Sequence, residues 1–310
     1  MAHFMLTLPL NQLNQVAATV PLMRTNQNIP NSDAPACADG FVSGAPELLD
    51  VVVVSTLRPE LLDLTLHSFY KFFLHQFKAT RLILNVDPIG EPRTKQEELL
   101  AIAHRYSNLV ISRMPTEPSF ARAVQWGWSQ VATPFFLHLE DDWLLTKPVH
   151  WNPISQRFAS VPNLASVRLN LTRNPPFAPP AHDGISLNPS LFRSEFIHQL
   201  LPHFDCTRDP EKQWSTSSSI THSLISPWTF EYYGKPREAA YVIDTGTKWR
   251  RAHQLQKQNA DGKTGTFWNP ATTAPFIATA CHRLKYKLFL AYWCLCVLVE
   301  RYQKPNSYYY

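Results

Sequence analysis

At 310 residues, with 45% hydrophobic and 17% charged side chains, the chain carries enough apolar mass to bury a sizeable core, which excludes a disordered or fibrous protein. The net charge of +5 suits an anionic partner, but Lys and Arg are scattered and no nucleic-acid module signature is present. Cys37, Cys206, Cys281, Cys294 and Cys296 are odd in number and form no CxxC pair, so neither a disulfide framework nor structural zinc is expected, and a reducing, cytoplasmic compartment is.

Residues 1–47 hold Asn, Gln, Pro and Ala without sustained periodicity, the pattern of a poorly ordered or loosely docked arm. DVVVVST (50–56) is an almost continuous apolar run, as expected of a strand covered on both faces. Pro59 fits the first turn of a helix whose Leu62, Leu66, Phe69 and Phe73 form one apolar stripe. RLILNVD (81–87) reads as a second strand, TKQEELLAIAHRY (94–106) as a second helix and NLVISRM (108–114) as a third strand. FARAVQWGWSQV (120–131) and PFFLHLE (134–140) supply the next helix and strand. The resulting βαβαβαβ order over 50–142 predicts a parallel α/β sheet, whose ligands bind beyond the carboxyl ends of its strands.

Three polar groups fall at those ends: Thr56 with Arg58, then Asp87, then the run Glu140, Asp141, Asp142. Consecutive carboxylates beside an apolar strand need a cation or a partner, since unpaired burial costs several kcal/mol each, on the order of 5. Downstream, SVRLNL (166–171) reads as a strand and the proline-rich stretch 173–184 as a long loop. ISLNPSLFRSEFIHQLL (185–201) reads as a strand and helix, and CTRDPEKQW (206–214) places Asp209 and Glu211 near a helix start, where acids also serve as ordinary caps. In 241–257, a strand precedes Trp249, Arg250, His253 and Lys257, which either reach a ligand or line a solvated helix face. LFLAYWCLCVLV (288–299) is flanked by Lys285, Lys287 and Arg301 and is too short to span a bilayer. Packing on the core is the favoured reading, with a helix lying at a membrane surface as the alternative.

VVVVSTLRPELLDLTLHSFY (51–70) resembles the opening strand, loop and helix of GT-A glycosyltransferases, in particular the large inverting glycosyltransferase family 2. NVD (85–87) resembles that fold's second strand ending in an aspartate, and HLEDDW (138–143) resembles its acidic DXD motif. The likeness covers 50–145 in order and continues more loosely to 257. It departs at Arg122-Ala123, where such enzymes often carry Arg-Asn, and at Glu140, where the motif usually starts with Asp.

The resemblance implies a GT-A domain over 48–280, with a nucleotide-sugar-binding half (48–145) and an acceptor half (146–280), and a C-terminal helix and tail over 281–310. It implies metal-dependent transfer of one sugar, with inversion favoured and retention as the alternative, from a nucleotide diphosphate sugar to a glycan or lipid-linked acceptor, and no nucleic-acid partner. Asp142 is then the ligand of Mn2+ or Mg2+, assisted by Glu140 and His253. Thr56, Arg58, Asp87, Arg122, Trp249, Arg250 and Lys257 are donor-binding positions; Asp141, pointing the other way on an extended backbone, supports the loop beside them. Glu211 is the general base, with Asp209 as the second candidate. Two rivals remain on a similar fold. A nucleotidyltransferase wants a Gly-rich, Lys-bearing loop after the first strand, and STLRPE lacks that glycine; a non-catalytic carbohydrate-binding or scaffold protein needs no base at all.

Overall fold

The computed structural model describes residues 47–169, 185–214, 219–234, 240–253, 255–259, 266–270, 281–292 and 295, all within one compact unit, 42–310. The expected N-terminal arm to residue 46, the proline-rich loop 173–184 and the tail beyond 295 lie outside the described residues.

The chain opens with β1 (Leu48–Leu57), α1 (Pro59–Phe72), β2 (Ala79–Gly90), α2 (Gln96–Ala103), β3 (Leu109–Arg113), α3 (Phe120–Ser129) and β4 (Phe135–Glu140). It continues through β5 (Trp143–Leu145), α4 (Trp151–Ser160), β6 (Leu164–Leu169), β7 (Ser190–Arg193), α5 (Ser194–Leu200), α6 (Ser219–Ile225), β8 (Thr229–Tyr233), β9 (Val242–Asp244) and α7 (Gly246–Ala252). After it come β10 (Leu255–Asn259), β11 (Thr266–Pro270) and a helix over 281–292, α8. Seven strands form the central sheet in the order β3-β2-β1-β4-β7-β6-β8.

β1 pairs in parallel with both β2 and β4, and β2 with β3, so the first half is the parallel sheet that its apolar runs predict, covered on both faces at β1, β2 and β4 and open at the edge strand β3. Alternation along β1 sends Val51 and Val53 into the layer with Leu62, Leu66 and Phe69 of α1, while Val52 and Val54 meet Val124 and Trp128 of α3. Between the layers His138 is fully buried on β4, accepts a hydrogen bond at Nδ1 from Trp128 Nε1 at 3.3 Å, and is held neutral, its pKa driven by burial down to about 3.

The second half makes the sheet mainly rather than wholly parallel, as a GT-A fold implies. β7 runs antiparallel to both β4 and β6, making the sheet mixed. Strand direction is invisible in short buried runs, since parallel and antiparallel strands covered on both faces have the same apolar composition. α4, α6, β5, β8 and the β10–β11 pair were also not anticipated; several are short and carry little periodic signal.

Asp50, fully buried at the start of β1, anchors the amino end of the sheet. Its carboxylate accepts from Arg81 Nε at 2.8 Å and Nη2 at 2.7 Å, and from the backbone N–H groups of Ala132 at 2.7 Å and Thr133 at 3.0 Å. Burial pushes its pKa up, but these bonds and the Arg81 charge outweigh it, leaving the pKa below the ordinary carboxylate value. A depressed acid stabilises the fold above its unfolded pKa of about 3.9 and loses that contribution as pH falls through the lower folded value. Melting temperature should therefore drop steeply below about pH 4, and the drop should be shallower in Asp50→Asn, which starts from a lower melting point at neutral pH. Parallel pH–melting curves for the two proteins would remove this role from Asp50.

Candidate active site at the carboxyl ends of the parallel strands

The parallel register places Thr56 of β1 opposite Asp87 of β2, and Val54 of β1 opposite Glu140 of β4. The expected strand-end groups thus meet. They open onto a cleft bordered by Thr56, Arg58, Asp87, Glu140, Asp142 and Arg250, together with Ile89, Pro118 and Phe120, a few convergent polar groups beside apolar ones as in small-molecule sites.

Asp87 is fixed from two sides: Oδ1 accepts from Asn85 Nδ2 at 2.8 Å and Oδ2 from the Ser119 N–H at 2.9 Å. Burial raises its pKa despite these bonds and the Arg113 charge. Ser119 also caps α3 by accepting from the Arg122 N–H, so one residue both starts that helix and aims Asp87. The Ser-Phe-Ala-Arg sequence signals the cap; its bond to Asp87 depends on tertiary placement and has no sequence signal.

Asp141 turns inward. It accepts from Ser55 Oγ at 3.0 Å and the Thr56 N–H at 2.9 Å, and pairs with Arg58 Nη2, while its carbonyl accepts from Thr65 Oγ1 at 2.9 Å. Arg58 also donates from Nη1 to Asp142 Oδ2 at 2.9 Å and lies over the Trp249 ring at 5.5 Å. Buried, it is drawn down by desolvation, yet the two aspartates more than compensate and its pKa rises. Trp249 itself is in the core, with Leu61, Ala252 and Tyr286, so it supports Arg58 from beneath and does not border the cleft.

Asp142 stands at the junction of two halves of the sequence. Its carbonyl accepts from the N–H of Thr245 at 2.8 Å and from Thr245 Oγ1 at 2.7 Å. Burial raises its carboxyl pKa, Arg58 and Arg250 pull it down, and Asp141 and Asp244 push it up; the net shift is upward. Acids outnumber cations here, the electrostatic setting a divalent ion relieves.

Among the described residues no three His, Cys, Asp or Glu side chains converge as a ready-made metal cage. The expected grouping of His253 with Glu140 and Asp142 is therefore not assembled: His253 stacks on Trp249 at 4.2 Å, its Nδ1 2.9 Å from the Trp249 carbonyl. What remains is Asp142 with Glu140 on the cleft wall, the one or two carboxylates that Mg2+-type sites use when substrate phosphates supply other oxygens. The donor set fits such an ion.

The other expected residues lie elsewhere. Arg122 is exposed on the first turn of α3 and is not among the residues bordering the cleft. Lys257 sits on β10 opposite Trp268, and its side chain is outside the described residues. Asp209 accepts from the N–H groups of Glu211 and Lys212, both at 3.0 Å, the capping arrangement that competes with a base role. Glu211 Oε1 accepts from the Leu187 N–H at 2.5 Å and from Ser186 Oγ at 3.2 Å, holding the segment before β7. Glu211→Ala should lower stability by about 1–3 kcal/mol by stranding the Leu187 N–H, whereas Glu211→Gln keeps an acceptor oxygen and should melt close to the parent. Thermal denaturation of both decides; equal melting points would deny Glu211 this structural bond.

No protein-family model matches the chain, and no curated protein matches it. Among solved structures it is similar to a mannosyltransferase from Pyrobaculum calidifontis determined with GDP-Man and Mn2+, at 13% identity and a TM-score of 0.50, over 67% of this chain and 60% of that one. The fold is the GT-A fold. TarS from S. aureus, residues 1–349, is matched at 12% identity and a TM-score of 0.47 over 66% and 62%, and a cytidylyltransferase from Leptospira borgpetersenii at 11% and 0.42 over 66% and 84%. The GT-A match thus spans about three-fifths of the mannosyltransferase's length.

Proposed function

We propose that the chain transfers a single sugar from a nucleotide diphosphate sugar to a glycan or lipid-linked acceptor, with inversion. The observation that carries this reading is the convergence of Asp87, Glu140 and Asp142 with Arg58 and Arg250 on one cleft of a GT-A fold. In this reading Asp87, already oriented by Asn85 and Ser119, accepts from the base or ribose of the donor. Arg250 faces the diphosphate. Asp142, with Glu140 assisting, holds Mn2+ or Mg2+; such an ion, when bound, neutralises charge on the departing diphosphate. Arg58 keeps Asp141 and Asp142 in place beneath the donor.

An inverting displacement needs one carboxylate to take the acceptor's hydroxyl proton. Glu211 is the proposed base and Asp209 the second candidate, each already accepting from backbone N–H groups, Glu211 from Leu187 and Asp209 from Glu211 and Lys212. The raised pKa of Asp142 also sets a direction: a cation favours the ionised carboxylate, so apparent Mn2+ affinity should weaken as pH falls through that pKa.

The test is to incubate the protein with UDP- and GDP-sugars and Mn2+ in the absence of acceptor. Release of nucleotide diphosphate supports a sugar transferase. Pyrophosphate release from a nucleoside triphosphate and sugar phosphate would instead identify a nucleotidyltransferase. Donor-dependent thermal stabilisation with no release from any donor, even after candidate acceptors are added, would favour the binding protein.

A further inference from the structure

The helix α8 is divided lengthwise. On one side Tyr286 is buried against Leu61, Trp249 and Ala252, and Leu290 packs on the same cluster. Phe289 meets the Lys248 ammonium at 4.2 Å from its ring centroid, and Arg283 Nε donates to the Ala252 carbonyl at 3.1 Å. These contacts fix the helix to α7, whose Arg250 borders the cleft.

The opposite side is apolar and exposed. Leu284, Leu288 and Tyr292 recur every four residues, Leu295 follows three later, and their exposures are 60%, 61%, 62% and 60%. At about 100° per residue these four fall within a sector of roughly 80°, turned away from Tyr286 and Leu290. Lys285 and Lys287, both exposed, project on either side of that sector, and 281–299 contains no Asp or Glu. Four large apolar side chains in line are more than scattered surface residues. Glu60 of α1 is the acid that faces Lys287, and with Lys285 and Lys287 the border keeps an excess of positive charge that matches an anionic surface; long lysine stems let apolar side chains enter an acyl layer while the ammonium groups stay among headgroups. Among the described residues no helix is long and apolar enough to cross a membrane.

We propose that this face of α8 docks on an anionic lipid bilayer, lying in its surface. The packed face keeps the helix on the domain, and the Leu284–Leu295 stripe enters the bilayer. This holds whatever chemistry the cleft performs.

The experiment is co-sedimentation of the full chain with vesicles of phosphatidylcholine alone and of equal parts phosphatidylcholine and phosphatidylglycerol. Binding to the mixed vesicles, weakening as salt rises, is expected. Leu284→Glu with Leu288→Glu should reduce the partition coefficient at least about tenfold with an unchanged melting curve, since neither side chain is buried. Lys285→Gln with Lys287→Gln should also reduce it about tenfold and tests the charge without touching the apolar stripe. Failure of the parent chain to sediment with mixed vesicles overturns the proposal, as does undiminished binding of both variants. A stable dimer in gel filtration that Leu288→Glu dissolves, without vesicle binding, would assign the stripe to a second copy of the chain.

Discussion

Asp141→Ala is expected to remove about 3–5 kcal/mol of stability and to lower the melting temperature by roughly 10 °C. The substitution deletes the carboxylate that receives Ser55 Oγ, the Thr56 N–H and the Arg58 guanidinium. Arg58 is then left buried with Asp142 as its remaining carboxylate in this pair, and removing one partner of a buried pair costs far more than the pair is worth. An Asp141→Ala protein that melts with the parent would show that these bonds do not hold the β1–α1 loop.

Asp142→Asn should leave the protein folded while abolishing the gain in nucleotide diphosphate affinity that Mn2+ confers. The amide keeps an acceptor for Arg58 Nη1 and leaves the carbonyl bonds from Thr245 intact, so the local frame survives. What it loses is the anionic oxygen. The expected weakening exceeds the roughly 10- to 100-fold that loss of a metal ligand's outer partner costs. Calorimetric titration of UDP and GDP, with and without Mn2+, reads it directly; a Mn2+ enhancement equal to the parent's would place the ion elsewhere.

The first half of the fold was legible because β1, β2 and β4 are covered on both faces and α1 and α3 carry apolar stripes. β1 declares itself through Val51 to Val54 facing two cores in alternation, and α1 through Leu62, Leu66 and Phe69. Residues that end a strand with a polar group were legible for a related reason: Thr56, Asp87 and Glu140 interrupt apolar runs. What could not be read was tertiary. Asn85 and Ser119 look like ordinary strand and cap residues until Asp87 lies between them. His253, Glu211 and Asp209 have the chemistry of a ligand or a base, but sequence does not say that backbone groups of Trp249, Leu187 and Lys212 meet them first. Asp50, at the other end of the sheet, opens an apolar run, and nothing in that run signals that Arg81, Ala132 and Thr133 converge on its carboxylate.

The close fit of Gly246 against Asp142 carries a consequence for how the protein comes into being. A β-carbon on that glycine would lie 2.0 Å from Asp142 Oδ2, and the neighbouring Thr245 supplies the bonds that hold the Asp142 main chain. Every strand-end acid of the cleft has been synthesised by residue 142, but Asp142's main-chain anchor arrives about a hundred residues later. On a ribosome, β1 to β4 have their apolar partners within reach early, while the last acid waits for a segment still to be translated. The place of Asp142 on the cleft wall is thus fixed late in the life of the chain, once Thr245 and α7 have been made.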